Sequence, residues 1–81
     1  MKMNTEALVI FMEECGECIQ EASKMIRFNG TSTFLEKEIC DVLCLIKILE
    51  DEGIISMDNM EANINMKREK LKEYSQLLLK S

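Results

Sequence analysis

From residue 39 to residue 49 the chain reads ICDVLCLIKIL, and only Asp41 and Lys47 interrupt the apolar side chains. As a helix, this segment is apolar nearly all round, so it demands burial on more than one side. The whole chain has only 81 residues. A domain of that size buries only about 60% of its unfolded surface, and one short neighbour cannot cover such a helix. The segment is therefore expected to pack against its own chain and against a second copy.

The rest of the sequence favours helix throughout. It has no Pro and three Gly, and it is rich in Glu, Lys, Leu, Ile and Met, which are good helix formers. A first helix is expected over residues 5–27, with Leu8, Phe11, Met12, Cys15, Cys18, Ile19, Ala22 and Ile26 as its apolar stripe. Asn29-Gly30 should break it. Thr33 and Glu36 form a capping-box pattern, which starts a second helix near Phe34, and Gly53 suits the left-handed residue just past its end. A third helix should begin near Met57 behind Ser56 and run to about Leu79, with a weaker stripe of Ile64, Leu71, Tyr74 and Leu78. The expected architecture is an all-α bundle of three helices, or four if the third breaks near Asn63, completed by homo-oligomerisation as a dimer or tetramer.

Charge and composition exclude several functions. A net charge of −5 disfavours wholesale binding to a nucleic acid backbone, although a divalent cation can still bridge an acidic protein to a free nucleotide. No run of roughly 18 apolar residues is present to span a membrane. No signal peptide is apparent, which implies a cytoplasmic setting with reduced thiols for the four Cys. The chain has no His, so imidazole ligands and His-based nucleophile activation are ruled out. Chemistry must come from carboxylates, Lys, Tyr, Cys or a bound metal.

The carboxylates form a pattern. Glu14, Glu17 and Glu21 fall within a ~60° sector of the first helix; taken alone, that is an ordinary solvated face. Glu38 and Asp41 are three apart on the second helix and therefore neighbours, on a face shared with Phe34, Leu45 and Ile48. A carboxylate among apolar residues is costly unless it is paired or holds a metal, and the competing explanation is a local pair between Lys37 and Asp41. Two helices each presenting an i, i+3 acidic pair can build an all-oxygen cage. Such a cage suits Mg²⁺, with Mn²⁺ as a substitute.

Glu13-Glu14-Cys15-Gly16-Glu17 reads as EExxE, and Glu38-Ile39-Cys40-Asp41 reads as ExxD. Together, separated by a short Gly-containing loop, they resemble the MazG-like all-α nucleoside triphosphate pyrophosphohydrolases. The resemblance covers roughly residues 8–49. It implies Mg²⁺ on Glu14, Glu17, Glu38 and Asp41 as the catalytic site, and hydrolysis of nucleoside triphosphates to monophosphate and pyrophosphate. It also implies a substrate-binding role for Glu13, at the first position of the motif, and dimeric or tetrameric assembly. Basic residues recur late in such chains, which points to Lys67, Arg68 and Lys70 as phosphate contacts; a solvated helix face is the plainer explanation. Lys24 either pairs with Glu21 or reaches phosphate. The chain is short for the family, so a partner subunit would have to supply some substrate-enclosing elements.

Other features have simpler explanations. Cys15-x-x-Cys18 and Cys40-x-x-x-Cys44 superficially suggest a zinc or redox site. However, Cys15 and Cys18 continue an apolar stripe and Cys40 and Cys44 lie in an apolar run, where Cys acts as a small hydrophobe. Phe28 and Phe34 flank the loop between the motif helices; either could stack on a base, but core packing is the expectation. Two other functions share this pattern. One is phosphoribosyl-ATP pyrophosphohydrolase, and the other is a non-enzymatic helical dimerisation module.

Overall fold

The computed structural model describes residues 4–77. It consists of three helices, α1 (Thr5–Phe28), α2 (Thr33–Asp51) and α3 (Met57–Tyr74). Among the described residues there is no strand. Helix α3 passes through Asn63 without a break, so the four-helix alternative is not realised. Helix α3 stops at Tyr74, where Ser75 turns to extended backbone as the C-cap, short of the expected run to about Leu79; Leu78 and Leu79 themselves lie outside the described residues.

Local chemistry explains the boundaries. The Asn4 side chain accepts from the Ala7 amide at 3.0 Å and caps α1. At the other end Asn29 itself takes the left-handed conformation, with φ of 50°, which Asn tolerates better than most residues. Helix α2 begins one residue earlier than the capping-box pattern places it. Ser32 is the N-cap, and its hydroxyl meets the Glu36 carboxylate at 3.4 Å, while Thr33 already lies inside the helix. Its far end is a full Schellman motif. There Gly53 has φ of 74° and donates to the Glu50 carbonyl, and the Ile54 amide donates to the Leu49 carbonyl at 3.0 Å. Ser56 occupies the N-cap of α3, but its hydroxyl caps nothing. The Glu50 carboxylate instead accepts from the Met57 amide at 3.2 Å.

A loop over residues 29–32 turns α2 back along α1, and these two helices form the one substantial packing contact between elements. Leu8, Phe11, Cys15, Cys18 and Ala22 are partly covered, whereas Met12, Ile19 and Ile26 of the expected stripe are exposed. Among the described residues the buried hydrophobic ones are Ala7, Leu45 and Leu49. Helix α2 is thus covered on one side only. Ile39, Leu43 and Ile48 are exposed, as are Cys40 and Cys44, contrary to the burial expected of an apolar run. Helix α3 has no buried residue and makes no substantial packing contact with α1 or α2. The radius of gyration is 15.3 Å, against about 12 Å for a compact domain of this length.

Candidate metal centre

The antiparallel α1/α2 pair brings the two acidic motifs together. Ligand oxygens of Glu14, Glu17, Glu38 and Asp41 all lie within 4.8 Å of one another. Opposite oxygens around an octahedral Mg²⁺ stand about 4.2 Å apart, twice the metal–oxygen distance, so small side-chain adjustments would close the cage. Glu14 faces Asp41 and Glu17 faces Glu38 across the seam. The register follows from the short loop: a step towards the loop on α1 is matched by a step towards it on α2.

The cluster is poorly compensated by the protein. Lys37 Nζ lies 3.8 Å from Glu38 and 3.9 Å from Asp41. The local pair that could have explained Asp41 is therefore present, but it is one cation against four acids, and its side chain is 70% exposed. An exposed pair of this kind contributes little. One oxygen each of Glu14 and Glu38 is buried without a hydrogen-bond partner. Buried polar atoms are normally satisfied, and an orphan calls for an explanation such as a bound ion. Burial, followed by the charges of Asp41 and Glu38, holds the Glu14 carboxyl above the usual carboxylate range. Contact with Glu17, followed by burial, does the same for Glu38.

The details revise the sequence reading in one respect. Asp41 was expected to be the carboxylate among apolar residues, yet its side chain is 42% exposed, whereas that of Glu38 is only 14% exposed. The buried oxygens left without a partner belong to Glu14 and Glu38. The remaining candidates stand apart. Glu13 is exposed and outside the cage. Lys24 pairs with Glu21 at 3.4 Å. Lys67, Arg68 and Lys70 lie on the exposed surface of α3, and among the described residues no ion pair ties them to the carboxylates.

The cysteines form no metal cluster of their own among the described residues, and all four are free thiols. Burial, with Cys15 and the acids Glu38, Glu14 and Asp41 nearby, pushes the Cys18 thiol up, which makes it a poor nucleophile. Phe28 and Phe34 depart from the expected core packing: they are 70% and 66% exposed. With Glu21, Lys24, Met25, Gly30 and Thr31 they line a shallow concavity at the loop end of the seam. The signal available in the sequence was their position beside the loop, one turn or more past the last motif residues.

No helix among the described residues is long and apolar enough to cross a membrane. The chain matches no family model, no curated protein and no solved structure.

Proposed function

We propose that the chain is a Mg²⁺-dependent nucleotide pyrophosphohydrolase that converts nucleoside triphosphate and water to nucleoside monophosphate and pyrophosphate. The observation that carries this reading is the four-carboxylate cage spanning two helices, with a buried orphan oxygen on Glu14 and another on Glu38. Four hard oxygen donors without sulfur or imidazole fit Mg²⁺ or Mn²⁺. Bound there, the metal supplies an acidified water and neutralises the polyphosphate.

Each residue has a share in that chemistry. Glu14, Glu17, Glu38 and Asp41 would hold the cation from both helices, and its charge would offset their mutual repulsion. Glu17 is the most solvent-open of the cage-facing Glu residues, so its carboxylate is placed to orient the attacking water and take its proton. The water oxygen bonds to the α-phosphorus as the α–β anhydride bond breaks, and pyrophosphate leaves with the electron pair.

A second copy of the chain completes the bundle in this proposal. Three buried hydrophobic residues among those described are too few to stabilise a domain of this size. The exposed Ile39, Leu43 and Ile48 give α2 an apolar surface for a partner to cover. The basic residues of α3, including Lys67, Arg68 and Lys70, are then phosphate contacts supplied within the assembly. The deciding experiment is pyrophosphate release from a panel of the eight common ribo- and deoxyribonucleoside triphosphates, with Mg²⁺ and with chelator. Metal-dependent release of one pyrophosphate per monophosphate supports the reading. A chain that binds no divalent cation and hydrolyses none of the panel leaves a helical dimerisation module instead.

A further inference from the structure

The carboxylate seam continues past the metal cage towards the α1/α2 loop. Glu21 is one turn beyond Glu17 on α1, and Phe34 is one turn before Glu38 on α2. The next step of the same antiparallel register therefore places Glu21 beside Phe34. Both line the concavity there, together with Lys24, Met25, Phe28, Gly30 and Thr31.

That concavity has the character of a ring-binding site. Its volume is about 150 Å³, well below the roughly 300 Å³ at which pockets begin to enclose whole small molecules. It is the size for one ring system, with the remainder of a ligand outside. Its walls are largely apolar, and two of them are aromatic. The Arg27 guanidinium sits 5.1 Å over the Phe28 ring, a cation–π contact that restrains that side chain. The polar groups at the rim are the Glu21 carboxylate, paired with Lys24 at 3.4 Å, and the Thr31 hydroxyl, which donates to Thr33 at 3.3 Å. These offer acceptors to the N–H groups of a ring edge.

We infer that this concavity receives the nucleobase of the substrate, stacked against Phe34 and Phe28, while the triphosphate extends along the seam to the carboxylate cage. The inference rests on the pyrophosphohydrolase reading for its ligand class. Four residues, about 6 Å along the axis, separate Glu21 and Phe34 from the nearest cage residues, Glu17 and Glu38, and a ribose bridges a gap of that order. Stacking is tolerant of base identity because every base has a π-face. The pocket therefore predicts affinity for bases in general, with the rim at Glu21 and Thr31 setting preference among them.

The test uses the full chain and the variants Phe34→Leu and Phe28→Leu, which keep apolar bulk but lose the aromatic face. Mn²⁺ binding by electron paramagnetic resonance reports the cage, KM for nucleoside triphosphates reports the base site, and inhibition by inorganic tripolyphosphate reports the phosphate path without a base. The expected result is unchanged Mn²⁺ affinity and tripolyphosphate inhibition, with KM raised about five-fold or more, the lower end of what stacking one base contributes. Unchanged KM in both variants overturns the inference. So does an altered sedimentation coefficient with unchanged KM, which assigns the rings to a contact between copies. If the wild-type chain hydrolyses nothing, the pyrophosphohydrolase reading fails by itself. The pocket is then judged by nuclear magnetic resonance titration with adenosine and uridine: shifted ring protons of Phe28 and Phe34 sustain it, and unshifted ones overturn it.

Discussion

The carboxyl of Glu14 on α1 faces that of Asp41 on α2, and after burial the Asp41 charge is the next cause that holds the Glu14 carboxyl above the usual carboxylate range. Such a contact between acids is unfavourable in the bare protein and becomes favourable once a cation lies between them. Function and stability are therefore opposed at this site, and that opposition can be measured.

Asp41→Asn and Glu38→Gln should leave the metal-free protein as stable as wild type or more so, because each removes a charge from a crowded cluster. A neutral amide is a poor ligand for a hard cation, so pyrophosphate release should fall. Loss of a residue that merely supports a ligand costs about 10–100-fold in metal affinity or activity, and loss of a ligand itself should exceed that. Thermal melts with and without Mg²⁺, read beside turnover, distinguish this from a structural pair with Lys37. An active Asp41→Asn protein with unaltered metal dependence would sink the assignment.

Mg²⁺ should raise the melting temperature at fixed protein concentration. At about 100 times its dissociation constant a ligand adds roughly 2.7 kcal/mol. Each kcal/mol shifts a domain of this size by about 4–8 °C, so a rise on the order of 10 °C or more is expected, reversed by chelator. A midpoint indifferent to both additions would show that the cage holds no ion.

The raised carboxyls of Glu14 and Glu38 set the pH dependence. Each binds its proton more tightly folded than unfolded, so each destabilises the metal-free fold at high pH. That penalty is absent below the ordinary carboxylate pKa of about 4.3, grows as pH rises, and is complete above the raised value. The stability advantage of metal-free Glu38→Gln over wild type should accordingly close on acidification. Protonation competes with the cation, so Mg²⁺ stabilisation should fade over the same interval. Melts of both proteins across a pH series would reveal the trend, and a constant gap would contradict it.

Assembly is tested by charge. Leu43 is 54% exposed in the single chain, and a surface substitution of that kind normally changes stability by no more than about 0.5 kcal/mol. If a second copy covers α2, Leu43→Glu should instead dissociate the oligomer and lower the melting temperature sharply. Light scattering and melts on the same samples decide it. A wild-type monomer at micromolar concentration, with Leu43→Glu neutral, would remove the partner from the proposal.

Cys15 and Cys18 contribute packing in this scheme. Their replacement by Ala should cost roughly 1 kcal/mol per site and spare metal-dependent turnover of the folded protein. Inactivity in a fully folded double variant would bring thiol chemistry back.

The sequence by itself determined the helices, because the signals that start and stop them act within a few residues. Asn29-Gly30 and Gly53 do their work locally, and the structure moved the start of α2 by only one residue, although α3 stops at Tyr74 rather than near Leu79. It also determined that Glu14 with Glu17, and Glu38 with Asp41, share helix faces, since i, i+3 spacing requires it. Tertiary structure decided what those faces meet. The register that sets Glu14 against Asp41 depends on how α2 folds back along α1. So does the deeper burial of Glu38 than of Asp41. Exposure was the least legible property of all. Phe28, Phe34, Cys40 and Cys44 all read as core by composition, yet all four lie open. An apolar side chain records only that burial is favourable, and whether a neighbour arrives to cover it is settled by packing between elements distant in sequence.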